Sequence, residues 1–126
     1  MAGKEFTVAA SAARTVTGQT DGPMNHDNAR GVHLVLDITA ASGTTPTLDV
    51  KVQRWDKESA KYVDLPSGAF VQKTTTGTDD LIIYPGVAET ANRSVSDAMS
   101  ENWRAVWTIG GTTPSFTFSI GGCYIP

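Results

Sequence analysis

The chain has 126 residues, of which 40% are hydrophobic and 18% are charged, and its formal net charge is -3. This length fits one compact domain that buries roughly two thirds of the surface its unfolded chain exposes, and the composition is typical of an ordered β protein. Because a negative chain offers no broad cationic field to phosphates, nucleic acid is not expected as a partner.

The first predicted element is a strand within residues 4–16. Phe6, Val8 and Val16 share one face of a loose alternation that small residues interrupt at 9–13, and β-branched residues on both sides favour a strand followed by a bend. Residues 1–16 are therefore a predicted edge strand or N-terminal arm, which either closes its own sheet or reaches a neighbouring subunit. The N-terminus lacks the apolar run of a secretory signal or membrane span, so no membrane partner is expected.

Residues 17–31 read as a long loop rich in Gly, Asp and Asn. The group His26, Asp27 and Asn28, which Asp21 could extend, is the nearest thing in the sequence to a set of metal ligands. Loops of this composition more often form Asx turns, in which the side chains bond nearby backbone. We therefore predict no metal and no cofactor.

The clearest predicted strand covers residues 31–39, where Val32, Leu34, Leu36 and Ile38 alternate with the outward-facing His33, Val35 and Asp37. A Gly-Thr-Thr-Pro segment follows at 43–46 and occurs again at 111–114. Gly and Pro favour turns, so each copy predicts a tight turn that closes a β-hairpin. The first hairpin would return through Leu48, Val50 and Val52.

The middle of the chain predicts a further hairpin over residues 55–67, with its tip near 56–59. Residues 81–84 form a short apolar strand, ended by Pro85 and Gly86, that is buried on both faces or covered by another subunit. Residues 87–102 are the least β-like stretch. They favour either a short helix beginning near Ser94 or Ser96, or an ordered loop.

The final predicted hairpin pairs residues 103–109 with 116–120. Trp103 and Trp107 share the parity of the apolar positions and are therefore predicted to lie in the core, as are Phe116 and Phe118. Cys123 is the only cysteine, which excludes a disulfide within the chain. We expect it to fill a core position.

The two repeats keep the same side-chain parity when they are aligned, since Leu48 matches Phe116 and Val50 matches Phe118. Two hairpins built on one plan predict a single all-β domain over residues 1–126, an antiparallel two-sheet β-sandwich of jelly-roll or Greek-key type. A small closed barrel is the alternative.

Two classes of function can be weighed from the residues alone. No phosphate-binding glycine motif, nucleophile elbow or zinc-ligand spacing is present, and Asp37, Asp49, Asp79 and Asp80 read as solvated faces and turns, so we expect no enzymatic activity. A carbohydrate-binding module is the other class. Its stacking platforms would be Trp55, Tyr62 and Tyr84.

A third class follows from a resemblance. The run GVHLVLDIT at 31–39 with its Gly-Thr-Thr-Pro segment, LIIYPG at 81–86 and WRAVWTIGG at 103–111 resemble small structural proteins of tailed-bacteriophage virions. Capsid decoration (cement) proteins are the most similar, followed by tail or neck components. The resemblance implies a sandwich, assembled in the host cytoplasm, that binds the major capsid protein on the virion exterior and stabilises neighbouring capsomers. It also implies a homo-oligomer, often a trimer.

A cement protein needs contact surfaces and no catalytic group, because many copies together stabilise the shell. The expected contact elements are the N-terminal strand, the long loop and the segment between 85 and 102. The candidate assembly contacts on them are Phe6, Val8, Met24, His26, Arg30, Val87, Arg93 and Met99.

Overall fold

The computed structural model describes residues 3–20, 24–25, 28–99 and 101–126. Within these ranges the chain contains eight strands and no helix, so the predicted all-β class is confirmed. The strands are β1 (Lys4–Arg14), β2 (Gly18–Gln19), β3 (Met24–Asn25), β4 (Gly31–Asp56), β5 (Lys61–Ala69), β6 (Gly77–Ile83), β7 (Ser94–Val95) and β8 (Asn102–Ile125).

Two long strands, β4 with 26 residues and β8 with 24, form the centre of the fold. They pair with each other in antiparallel orientation along almost their whole length, from Gly31 opposite Ile125 to Arg54 opposite Trp103. The prediction that each Gly-Thr-Thr-Pro segment closes a hairpin is therefore wrong. Each strand runs on through its copy of the repeat and takes its partner from the other copy.

The two repeats lie opposite each other near the middle of the paired strands. We call this region the crossing: residues 42–47 of β4 against 110–115 of β8. The pairing register shifts there, and Gly43 and Gly111 have φ values of 114° and 110°. Thr45 and Thr113 also have positive φ. The backbone angles expected of a turn are thus present, but they produce a pair of opposed bulges. Bulges bend strands and increase their twist without reversing the chain.

The paired strands β4 and β8 form one long ribbon. Its first half is residues 31–41 paired with 116–125, and its second half is residues 48–54 paired with 103–109. The bend at the crossing brings these two halves face to face around one core. Trp107 and Phe118 lie on opposite halves with ring centroids 5.5 Å apart, and the Trp103 indole donates a hydrogen bond to the Tyr124 hydroxyl at 3.2 Å. The predicted parity is confirmed, because the matched positions of both repeats are at most 1% exposed. These positions are Leu48, Val50, Val52, Phe116, Phe118 and Ile120.

All the described strands belong to one hydrogen-bonded sheet, in the order β1-β8-β4-β6-β7, with β2 and β3 on β8 and β5 on β4. The sheet is mixed, since β6 and β7 are parallel, and it is not closed. A two-sheet jelly-roll sandwich and a closed barrel are therefore not confirmed. The hairpin predicted around residues 56–59 is confirmed, because Trp55 pairs with Tyr62 and the chain turns at 57–60.

β1 pairs with β8 of its own chain, from Lys4 opposite Tyr124 to Arg14 opposite Phe116. In the structure the N-terminal strand completes the sheet of its own chain, which was one of the two predicted alternatives. Val8 and Ala9 are buried in the core. β1 therefore stabilises this fold directly.

Candidate binding surface at the open end

The end of the molecule opposite the crossing collects the irregular segments, and we call it the open end. Strand register places there the start of β1, the start of β4 and the end of β8, together with the start of β8 opposite β3. The turn at 57–60 and the segment 84–99 lead to the same end. Loops carried by a rigid scaffold are the usual location of binding residues.

Of the stretch 87–102 for which a short helix or an ordered loop was predicted, the described residues 87–99 contain no helix: they form an ordered loop that includes the short strand β7. Backbone bonds tie it to β6, since Ile82 donates to the Arg93 carbonyl at 2.8 Å and Tyr84 to that of Val95 at 3.0 Å. Its own side chains brace it as well: the Ser94 hydroxyl donates to the Ala88 carbonyl at 2.6 Å. Because these bonds exist without a partner, the loop presents a preorganised surface.

The predicted contact residues divide by burial. Phe6, Val8 and Met99 pack into the chain itself: Phe6 stacks on Tyr124 with centroids 4.1 Å apart, while Val8 and Met99 are buried. Contact with a partner through Val8 or Met99 would therefore require part of the core to open.

Three other predicted contacts are accessible. Arg30 and Arg93 are exposed and Val87 is half-buried. Arg30 lies beside Met99, whose amide donates to the Arg30 carbonyl at 3.2 Å, so the end of the long loop and the end of segment 84–99 meet at the open end. Met24 is paired with Trp103 through its backbone, and His26 lies outside the described residues.

A polar network lies on the outer face of the first half of the ribbon. Asp80 on β6 binds His33 at 3.1 Å and Arg93 at 3.3 Å, which links segment 84–99 to the centre of the sheet. His33 is on the outer face, as its parity predicts. Beside it a groove of about 290 Å³ is lined by residues of β1, β4 and β8, among them Val35 and Cys123.

The expectation that Cys123 fills a core position is wrong. It is half-buried on the outer face, between Glu5 of β1 and His33 of β4. The reason is the parity of β8, in which Tyr124 points inward and takes the core position.

The outer face of the second half carries a ladder of polar and aromatic contacts. Trp55 and Tyr62 are cross-strand neighbours with ring centroids 4.9 Å apart and planes at 61°. The Arg104 guanidinium lies 3.8 Å from the centre of the Tyr62 ring and donates a hydrogen bond to the Gln53 amide oxygen at 2.8 Å. The amide of Gln53 in turn donates to Asp64 at 2.8 Å.

The same ladder perturbs the titration of Asp64. The hydrogen bond from Gln53 and a second from Lys51 at 3.0 Å both favour the carboxylate and lower the pKa of Asp64. At the hairpin tip, the Ser59 hydroxyl and amide donate to Asp56 at 2.6 and 3.1 Å. These two bonds lower the pKa of Asp56, the hydroxyl having the larger effect.

Next to this ladder a depression of about 250 Å³ opens at the open end. It is lined by Trp55, Lys57, Glu101 and Asn102. Of the three aromatic residues predicted as stacking platforms, the structure brings Trp55 and Tyr62 together, whereas Tyr84 follows β6 on the other half.

Arg14 is a residue whose role the sequence did not reveal. Its guanidinium lies 4.2 Å from the Phe118 ring centre and 4.9 Å from that of Trp107. It also donates to the carbonyls of Phe118, Ala12 and Ala10 at 2.6, 3.1 and 2.7 Å. Partial burial lowers the pKa of Arg14. It fixes the irregular part of β1 and borders a depression of about 410 Å³.

The four aspartates weighed as catalytic groups each have a different partner. Asp37 accepts a hydrogen bond from Thr78 at 2.8 Å, Asp49 from Gln72 at 2.9 Å, and Asp79 pairs with Lys73 at 2.8 Å. Asp80 binds His33 and Arg93, as described above. Each of these four carboxylates is therefore engaged by a different neighbouring side chain.

Two kinds of feature are absent from the residues that the structure describes. No three His, Cys, Asp or Glu side chains there are grouped so that they could hold a metal ion. No helix in the same ranges is long and apolar enough to cross a membrane.

Comparison with known proteins gave no match, either to a protein-family model or to a curated protein sequence.

Proposed function

We propose that this chain is a structural protein of a tailed-bacteriophage virion, and specifically a capsid decoration protein that binds the outer capsid surface and stabilises neighbouring capsomers. The observation that carries the proposal is the position of the segments predicted to make contacts. Segment 84–99 and Arg30 meet at one end of a rigid β body, and the loop is held in place by its own hydrogen bonds.

The physical argument concerns rigidity and preorganisation. A protein that ties capsomers together must resist deformation, and two strands that pair over almost their whole length supply a stiff body. A preformed loop loses little conformational entropy on binding, so more of the contact energy remains as affinity. In this proposal, the stiff body of the decoration protein is a single sheet folded back at the crossing, in place of the two-sheet sandwich that the resemblance implies.

The partner in this proposal is the major capsid protein, and the contact surface centres on Arg30, Val87 and Arg93. Self-association, as a trimer, belongs to the same proposal. A trimer binds through three copies of the contact surface at once, so each copy needs to contribute only a modest affinity.

Immunogold labelling of intact particles with an antibody against the purified chain tests the location. Gold on the heads supports a decoration protein. Gold confined to the tail or neck would favour the alternative of a tail component, and particles without gold would overturn a virion role. Light scattering of the purified chain tests the trimer.

A pair of matched variants tests the surface. Val87→Glu adds one negative charge at the open end, and Thr75→Glu adds the same charge at an exposed position away from it. We expect Val87→Glu alone to prevent binding to particles that lack the protein. Equal binding by both variants would show that the contact surface lies elsewhere.

A further inference from the structure

We propose that the depression lined by Trp55, Lys57, Glu101 and Asn102 is a binding site for one neutral sugar ring at the exposed end of a glycan. This site goes beyond the proposed virion role and does not depend on it. It stands on three features of the structure: a fixed aromatic platform, a rim of mixed polar groups and a volume that fits a single ring.

The platform is the Trp55 indole, whose orientation is fixed by a chain of contacts. The Tyr62 ring packs against it at 61°, and Arg104 lies 3.8 Å from the centre of the Tyr62 ring. Arg104 is itself held by the Gln53 amide oxygen at 2.8 Å. Trp55 is only half-buried and borders the depression, so a ligand meets an aromatic surface that is already in place.

The rim combines groups of opposite character. Lys57 supplies an ammonium donor, Glu101 a carboxylate acceptor, and Asn102 an amide with both functions. Sugar hydroxyls both donate and accept hydrogen bonds, so they can pair with every group of such a rim. A charged ligand would be attracted by one of Lys57 and Glu101 and repelled by the other, and an apolar partner would leave both charges unpaired. A neutral sugar is therefore the ligand class that the rim favours.

The volume sets the size of the ligand. The depression has a volume of about 250 Å³ and is open to solvent on one side. This space accommodates one ring that stacks on Trp55 through its apolar face. It does not accommodate a long oligosaccharide, the rest of which would extend into solvent.

Nuclear magnetic resonance titration of the full chain tests the proposal, with glucose, galactose and N-acetylglucosamine as separate probes. We expect at least one sugar to cause saturable shifts in the Trp55 indole N–H and the Asn102 amide. Trp55→Ala should weaken that binding about two- to tenfold, because it removes the aromatic contact with the stacked ring. Trp55→Phe should recover part of the affinity.

Val71→Ala is the matched control, because it shortens an exposed apolar side chain that does not line the depression. We expect it to leave sugar binding unchanged. The absence of saturable shifts with all three sugars would overturn the proposal, as would unchanged binding by a Trp55→Ala protein whose remaining spectrum is native. Since these measurements use the isolated chain, their outcome is separate from whether the protein is found on virions.

Discussion

The crossing of β4 and β8 makes Gly111→Ala the most informative single substitution, and we expect it to destabilise the fold strongly. Gly111 has a φ of 110°, a conformation that costs about 1–3 kcal/mol for other residues. A methyl group there would also lie 2.7 Å from the Thr45 carbonyl oxygen and 2.9 Å from the Pro46 Cα. Both atoms belong to the partner backbone, and overpacking of this kind costs about 1–3 kcal/mol more.

The expected loss is therefore about 2–6 kcal/mol, a large part of the roughly 5–15 kcal/mol that stabilises a typical domain. Two other glycines separate the contributions. Gly86 has a φ of 89° but nothing within 4 Å of the added atom, so Gly86→Ala should show the backbone strain alone. Gly121 has the same open space without that strain, and Gly121→Ala should change stability by less than about 0.5 kcal/mol.

Urea denaturation followed by tryptophan fluorescence measures these differences as shifts in the transition midpoint at constant slope. The expected order of destabilisation is Gly111→Ala, then Gly86→Ala, then Gly121→Ala. If Gly111→Ala proved no more destabilising than Gly86→Ala, the partner backbone would not be in contact with Gly111. The account of the crossing as two opposed bulges would then be refuted.

Three further predictions follow from the pairing and from the polar contacts. Asp49→Cys with Thr108→Cys, without the native cysteine, should form a disulfide readily on mild oxidation, because these residues are directly opposite in β4 and β8; a mass spectrum showing only free thiols would contradict the pairing. Ser59→Ala should raise the pKa of Asp56 in a carboxyl ¹³C titration. Because the bonds from Ser59 lower that pKa, they stabilise the fold above about pH 4, the usual Asp value, and this stabilisation is lost as pH falls through the folded pKa. A difference in stability between the variant and the unchanged chain that persisted at lower pH would contradict this cause. Arg14→Lys should cost about 1–3 kcal/mol in urea denaturation, since one ammonium cannot reproduce a planar guanidinium that bonds three carbonyls and covers two rings; full stability of this variant would be evidence against that role.

The sequence predicted the elements of this fold more successfully than their partners. Alternation identified the inward faces of β4 and β8, because side chains in a strand alternate between the two faces whatever strand lies alongside. It also located the hairpin from Trp55 to Tyr62, where the turn and both strands are adjacent in the chain. The pairing of Gly31 with Ile125 could not be predicted in the same way, since it joins residues that are far apart in the sequence.

The repeated segment illustrates the physical reason. Gly43 and Thr45 adopt positive φ in the structure, as residues of a tight turn do, but so do residues of a bulge. Local turn chemistry is therefore satisfied by both a hairpin and a crossing. The choice depends on the partner strand, because Gly43 lies against Thr113 and Pro114 of the other repeat.

The candidate site was predictable in location and less so in detail. Loop composition pointed to segment 84–99, whose ordered conformation depends on bonds such as the one from Ser94 to the Ala88 carbonyl. Trp103 and Trp107 share the parity of the apolar positions, and the prediction that they lie in the core and not on the surface is confirmed. The joining of Trp55 with Lys57 and Glu101 in one depression required the three-dimensional fold, because β8 begins far along the chain.

The glycines of the crossing and the glycine of segment 84–99 differ in how freely they can be replaced. At the crossing, Gly43 and Gly111 each face backbone atoms of the partner strand less than 3 Å from an added Cβ, so shape requirements alone account for the repeated motif. Within segment 84–99, Gly86 meets no such contact, whereas Gly31 at the same end does face the Ile83 carbonyl. The segment is held by backbone bonds and by side-chain bonds that other polar residues could replace. A new partner or ligand can thus be accommodated at the open end without disturbing the pairing of β4 and β8. The repeat accounts for the pairing at the crossing, and the proposed binding surfaces at Arg30, Val87 and Trp55 lie at the end that holds the irregular segments.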